Sequence, residues 1–265
     1  MKFGCCVNMC GNEKDPGGLR MLEDVKRAGY DYVELPLAEC MQLDDKAFQT
    51  LLERLRSLDL PCEACNNFFP GNLRLTGENR DIEAIRTYLP AALKRAAQLG
   101  ARTIVFGSAK AKYVPEGFPM DRAWAQVEDD VRIIGEALDK VGLPLVIAIE
   151  PVCRRECNIV LTYAEGCDLA EKAKRPNVQC LVDYYHMTVE NEPVEHLNRG
   201  ELRHVHISNP NGRVYPRCGD GAGYERFFEM LKSVGYDRCV SVEAYTDDFM
   251  ADSIEALACL RTLAK

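Results

Sequence analysis

The chain has 265 residues, with 41 acidic against 33 basic side chains and a formal charge of -8, a balance that repels a phosphate backbone and excludes nucleic acid as the natural partner. No apolar run is long enough for a membrane span, and Met1-Lys2-Phe3-Gly4-Cys5 goes straight into a strand-like segment with no secretory signal, so the expectation is a cytoplasmic protein without membrane contact. Thirteen cysteines, odd in number and scattered through apolar runs, read mostly as small reduced core residues. Cys62 and Cys65 have thiol-pair spacing, but no second pair completes a zinc site.

In chain order, Phe3 to Val7 reads as a strand and Gly17 to Ala28 as a helix. Tyr32-Val33-Glu34-Leu35-Pro36 is the second strand, and Phe48, Leu51, Leu52, Leu55 and Leu58 then mark one face of a helix. Cys62 to Asn66 is the third strand, followed by a long loop, Asn67 to Gly77, and a helix from Asp81 to about Leu99. Thr103 to Ser108 is the fourth strand; its loop runs through Phe118 and Pro119 into a helix over 121–141. Gly107-Ser108-Ala109-Lys110 lacks the spacing of a phosphate loop and reads as an ordinary turn.

Four more strands follow, in Ile147-Ala148-Ile149-Glu150, Cys180-Leu181-Val182-Asp183, Leu202 to Ile207 and Cys239 to Glu243, with helices near 162–174, 193–198, 224–234 and 248–264. Eight alternating units in a chain close to the ~250 residues of one closed barrel predict an α/β fold, a single (β/α)8 TIM barrel filling residues 1–265 as one domain. Loops after the third, fourth and seventh strands are the long ones, which places the working mouth at the strand C-termini.

The last four strands each run into a polar ligand: Glu150, Asp183, His206 and Glu243. One acid at a strand end is usually a helix cap; four matching positions in succession point to a shared divalent ion. Three carboxylates and one imidazole suit Mn²⁺ first, with Mg²⁺, Co²⁺ or Zn²⁺ within reach of the same donors. His204 lies on the same inward face one layer deeper and reads as a packed or supporting residue.

At these residues the chain resembles the sugar phosphate isomerase/epimerase superfamily, the xylose isomerase-like barrels, and within it the ketose 3-epimerase and inosose isomerase branch. The resemblance rests on Ile149-Glu150-Pro151 with Glu156 beyond it, Val182-Asp183-Tyr184-Tyr185-His186, His204-Val205-His206 and Val242-Glu243. It implies that Glu150, Asp183, His206 and Glu243 hold one ion. It also implies that Glu150 and Glu243 exchange a proton at the carbon beside a polarised carbonyl, through an enediolate.

The resemblance further assigns Glu156, His186 and an arginine of the seventh-strand loop to substrate, Arg213 being the better positional match and Arg217 the other candidate. Glu34 recurs in such barrels as an inward acid near the site and has an equal reading as the partner of a nearby arginine. The implied substrate is a small sugar or cyclitol, and relatives of this kind are homodimers or homotetramers. A dehydratase or lyase acting on a keto-sugar, an inosose or a C-glycoside would use the same metal site; a non-catalytic sugar-binding role would have been marked by loss of a glutamate.

Overall fold

The computed structural model describes residues 1–265. Eight parallel strands close on themselves in sequence order. They are β1 (Lys2–Cys6), β2 (Tyr32–Pro36), β3 (Cys62–Asn66), β4 (Thr103–Phe106), β5 (Val146–Ile149), β6 (Val178–Asp183), β7 (Leu202–Ile207) and β8 (Cys239–Val242). The helices are α1 (Leu22–Ala28), α2 (Leu37–Cys40), α3 (Asp45–Ser57), α4 (Ile82–Leu99), α5 (Ala109–Lys112), α6 (Met120–Val141), α7 (Tyr163–Ala173), α8 (Tyr184–Val189), α9 (Tyr224–Ser233) and α10 (Phe249–Leu263). The expected barrel is present. No helix is long and apolar enough to cross a membrane.

Local chemistry explains the helix boundaries. Asp44, Asp81 and Asp248 each accept a backbone N–H in the first turn of α3, α4 and α10, and Thr162 with Glu165 forms a reciprocal capping box at the start of α7. The short helices α2, α5 and α8, all placed directly after strands, were not foreseen, because four to six residues are too few for a period of 3.6 to register.

Strand alternation divides the residues into two sets. Cys5, Val33, Leu35, Ile104, Phe106, Ile147, Ile149, Val182, Val205, Ile207, Val240 and Val242 belong to the main apolar core between strands and helices. The opposite set points into the barrel, where Val105, Ala148 and Leu181 form a small apolar cluster of their own. Tyr32 fills much of the remaining interior floor: a Cβ at Gly4 would lie 2.2 Å from its ring, so glycine is required opposite it. Above this layer the inward positions are polar, and that change of character creates the site.

Connections at the C-terminal face are long: 67–81 after β3, 107–119 after β4, 150–162 after β5 and 208–223 after β7. The loop after β5 and the connection 7–21 after β1 are additions to the three expected. Two cysteines leave the reduced set: Cys218 in the β7 loop and Cys259 in α10 form a disulfide, while eleven remain free.

Candidate active site

Glu150 follows β5, Asp183 ends β6, His206 lies in β7 and Glu243 follows β8, so neighbouring strands bring all four to one level at the mouth. One ligand atom from each lies within 4.8 Å of the others, and all four residues are buried. His206 Nδ1 sits 3.1 Å from Glu150 and 3.4 Å from Glu243. Asp183 divides its oxygens: Oδ1 accepts the Tyr185 N–H and caps α8, while Oδ2 faces His186 at 3.5 Å and Arg213 at 3.4 Å. Gly107, just past β4, leaves room for Glu150, whose Oε2 would be 1.9 Å from a Cβ there.

Glu34 lies beneath the cluster, fully buried. Its Oε1 accepts from His206 Nε2 at 2.9 Å, and its Oε2 is bonded by His204 Nε2 at 2.8 Å and by the Ser241 hydroxyl at 2.6 Å; Tyr32 OH meets Ser241 at 2.7 Å. Burial alone would raise the Glu34 carboxyl, but the facing imidazoles outweigh it and hold it well below the usual carboxylate range. Of the two readings of Glu34, the structure shows the inward acid beside the site, and its partners are the two imidazoles and the Ser241 hydroxyl instead of an arginine. Burial opposes charge on His206, but Glu34 on one side and Glu243 on the other outweigh it and hold the imidazole well above its usual range; an ion at the cluster would take the place of the Nδ1 proton.

The donor set fits a divalent ion. Donors around one ion bound at ~2.1 Å are separated by no more than about 4.2 Å, so the observed spread needs only slight contraction. Burial is the largest influence on each carboxyl and acts to raise it. Asp183, relieved in part by Arg213, is pushed up to about 7, and Glu150 is also raised, whereas Arg213 and His206 overcome burial at Glu243 and hold it low. Three crowded buried carboxylates call for more positive charge than Arg213 and His206 supply. Glu34→Gln is expected to weaken Mn²⁺ binding by about 10–100-fold, since a carboxamide polarises His206 less; calorimetric titration with Mn²⁺ checks this.

Arg213 spans the rim. Its guanidinium donates to Glu156 at 2.9 Å and Glu243 at 2.6 Å and lies over the Tyr185 ring at 4.8 Å. Arg213 takes a left-handed backbone conformation (φ 53) in the turn that bridges Asn209 to Val214. Arg217 is corrected: it points outward, pairs with Asp252 at 2.7 Å and Glu255 at 3.3 Å, and is half exposed. His186 is buried in α8 instead of lying in a loop.

Lys112, missed in the sequence, is buried and donates to the Glu150 carbonyl at 2.9 Å, tying α5 to the end of β5. No spacing marks it; only the packing of the short helix α5 brings it there. Phe68 and Phe69, in the loop after β3, are buried against Phe106 and Tyr88.

A closed parallel barrel with a cluster of three carboxylates and an imidazole at its mouth, a group that could hold a metal ion, sets the class of protein. The chain belongs to the xylose isomerase-like TIM barrel family, whose model matches residues 22–263. It is 27% identical to a ketose 3-epimerase of Arthrobacter globiformis, over 97% of this chain and 88% of that protein. It is 24% identical to a 3-dehydro-D-guloside 4-epimerase of Escherichia coli strain K12, over 90% and 92% respectively. A crystal structure of D-psicose 3-epimerase in the presence of D-fructose superimposes with a TM-score of 0.87 at 17% identity, covering 100% of this chain and 99% of that one, a likeness of fold.

Proposed function

We propose that this single-domain barrel is a sugar epimerase dependent on one divalent ion, Mn²⁺ by preference, acting at the carbon beside the carbonyl of a free ketose. The observation that carries the reading is the convergence of Glu150 and Glu243 from β5 and β8, with His206 between them, at a site that also contains Asp183. The relatives' names point the same way. Glu150, Asp183, His206 and Glu243 would hold the ion, which supplies Lewis-acid polarisation of the substrate carbonyl and so acidifies the neighbouring C–H.

The side chains perform the proton transfers. Arg213 keeps Glu243 ionised, whereas burial favours a proton on Glu150, and two carboxyls pushed apart in this way suit base and acid roles. Glu243 takes the proton from one face of the carbon, leaving an enediolate, and Glu150 returns one to the opposite face; in the reverse direction the roles exchange. Return from the opposite face inverts the carbon, so two bases across the mouth favour epimerisation over transfer to the adjacent carbon. Glu156, His186 and Arg213 line the rim, where sugar hydroxyls would be held. Eleven free thiols suit a reducing compartment such as the cytoplasm, with the Cys218–Cys259 bridge as the exception.

The test is proton NMR of free ketoses, 3-keto sugars and inososes in D₂O with Mn²⁺-loaded protein. Deuterium entering at C3 of a ketose, with the epimer appearing and EDTA abolishing both, is the expected result. Loss of water would instead identify a dehydratase. Absence of exchange on every substrate would overturn the proposal.

A further inference from the structure

We infer that the barrel mouth holds a second, softer divalent-ion site formed by Cys153, Glu156 and His186. The loop after β5 turns tightly at Cys153, whose carbonyl accepts the N–H groups of Glu156 at 2.9 Å and Cys157 at 3.0 Å. That turn sets Cys153 beside Glu156, and α8 lays His186 against both. A thiol, a carboxylate oxygen and a ring nitrogen thereby come within 4.8 Å of one another. Cys153 and His186 are buried while Glu156 is exposed, which leaves the cluster open to an ion from the solvent side.

A second observation comes from His186 itself. Its Nε2 faces Asp183 at 3.5 Å, whereas its Nδ1 is buried with no hydrogen-bond partner. With Nε2 turned toward Asp183, the second ring nitrogen is the one left over to meet a ligand. Buried polar atoms are rarely left without a partner, and a cation satisfies this one. Arg213 donates to Oε1 of Glu156, leaving the second oxygen of that carboxylate for an ion.

The chemistry of the donors separates the two sites. Sulfur, nitrogen and oxygen together favour Zn²⁺ or Co²⁺, whereas the oxygen-rich cluster below suits Mn²⁺ or Mg²⁺. Binding converts the Cys153 thiol to a thiolate, and its proton leaves to solvent. A consequence rests on the epimerase reading above: an ion here occupies Glu156 and His186, two groups assigned to sugar oxygens, so excess Zn²⁺ competes with substrate.

The experiment loads the whole protein with Mn²⁺ and then titrates Co²⁺, counting bound metal and reading the ultraviolet spectrum. A second equivalent that brings a thiolate-to-cobalt charge-transfer band, with both lost in Cys153→Ser while the Mn²⁺ resonance signal persists, is the expected outcome. No second equivalent, uptake without the band, or a band that survives Cys153→Ser overturns the inference; the last would point to another thiol pair, such as Cys62 and Cys65, whose sulfurs lie 3.9 Å apart. The band is read on the unaltered protein, so a poorly folding variant does not remove the test. Because the readout is binding, failure here leaves the epimerase reading standing, and failure of turnover leaves this site standing.

Discussion

Glu150→Gln and Glu243→Gln are each expected to lower turnover by roughly 10²–10⁴-fold while leaving the barrel folded. Glutamine keeps the volume of the side chain and can still hydrogen-bond to His206 or Arg213, so the buried cluster is not emptied. What disappears is the capacity to take or deliver a proton, together with one anionic ion ligand. The two variants differ in one respect: at position 243 Arg213 loses a charged partner but keeps Glu156 and Asp183, at 2.9 and 3.4 Å. Single-turnover kinetics with saturating Mn²⁺, beside thermal melts, checks the pair. More than about a tenth of the activity surviving in both would sink the two-glutamate mechanism.

Gly107→Ala is expected to cost roughly 10²-fold in turnover with little or no loss of stability. Gly107 has no left-handed φ, so its backbone accepts alanine, and replacing glycine at an unstrained position commonly stabilises by about 0.4–1 kcal/mol. The added methyl would meet Glu150 Oε2 at 1.9 Å and its carboxyl carbon at 3.0 Å. The flexible carboxylate end must swing aside, and a displacement of about 1 Å at a reacting group is enough for the predicted loss. An unchanged melting temperature with depressed turnover and weakened Mn²⁺ affinity is the signature. Wild-type turnover in this variant would show that Glu150 does not work from its observed position.

The barrel was legible because strand and helix periods differ and because each β-strand ends in turn chemistry. Glu150, Asp183, His206 and Glu243 were legible as a group for the same reason: matching strand ends are brought to one level by parallel pairing. Glu34 shows the limit. Its partners, His204 and His206, lie 170 and 172 residues away in sequence, and only closure of the barrel sets them against it.

The choice between Arg213 and Arg217 turned on a single left-handed residue and a short bridge from Asn209 to Val214, which no periodicity encodes. Lys112, and the helical setting of His186, were obscured by helices too short to leave a pattern. The pairing of Cys218 with Cys259, 41 residues apart, was hidden among thirteen similar residues.

The seam of the barrel joins Lys2, Phe3, Gly4 and Cys5 to Cys239, Val240, Ser241 and Val242. During synthesis the first strand emerges long before its neighbour, so the growing chain carries an open sheet edge through most of translation. The floor under the cluster of Glu150, Asp183, His206 and Glu243 needs Glu34 from β2, His204 and His206 from β7, and Ser241 from β8. No nascent intermediate lacking the eighth strand can therefore assemble that floor. The polar cluster takes its observed form only once the eighth strand has paired with the first.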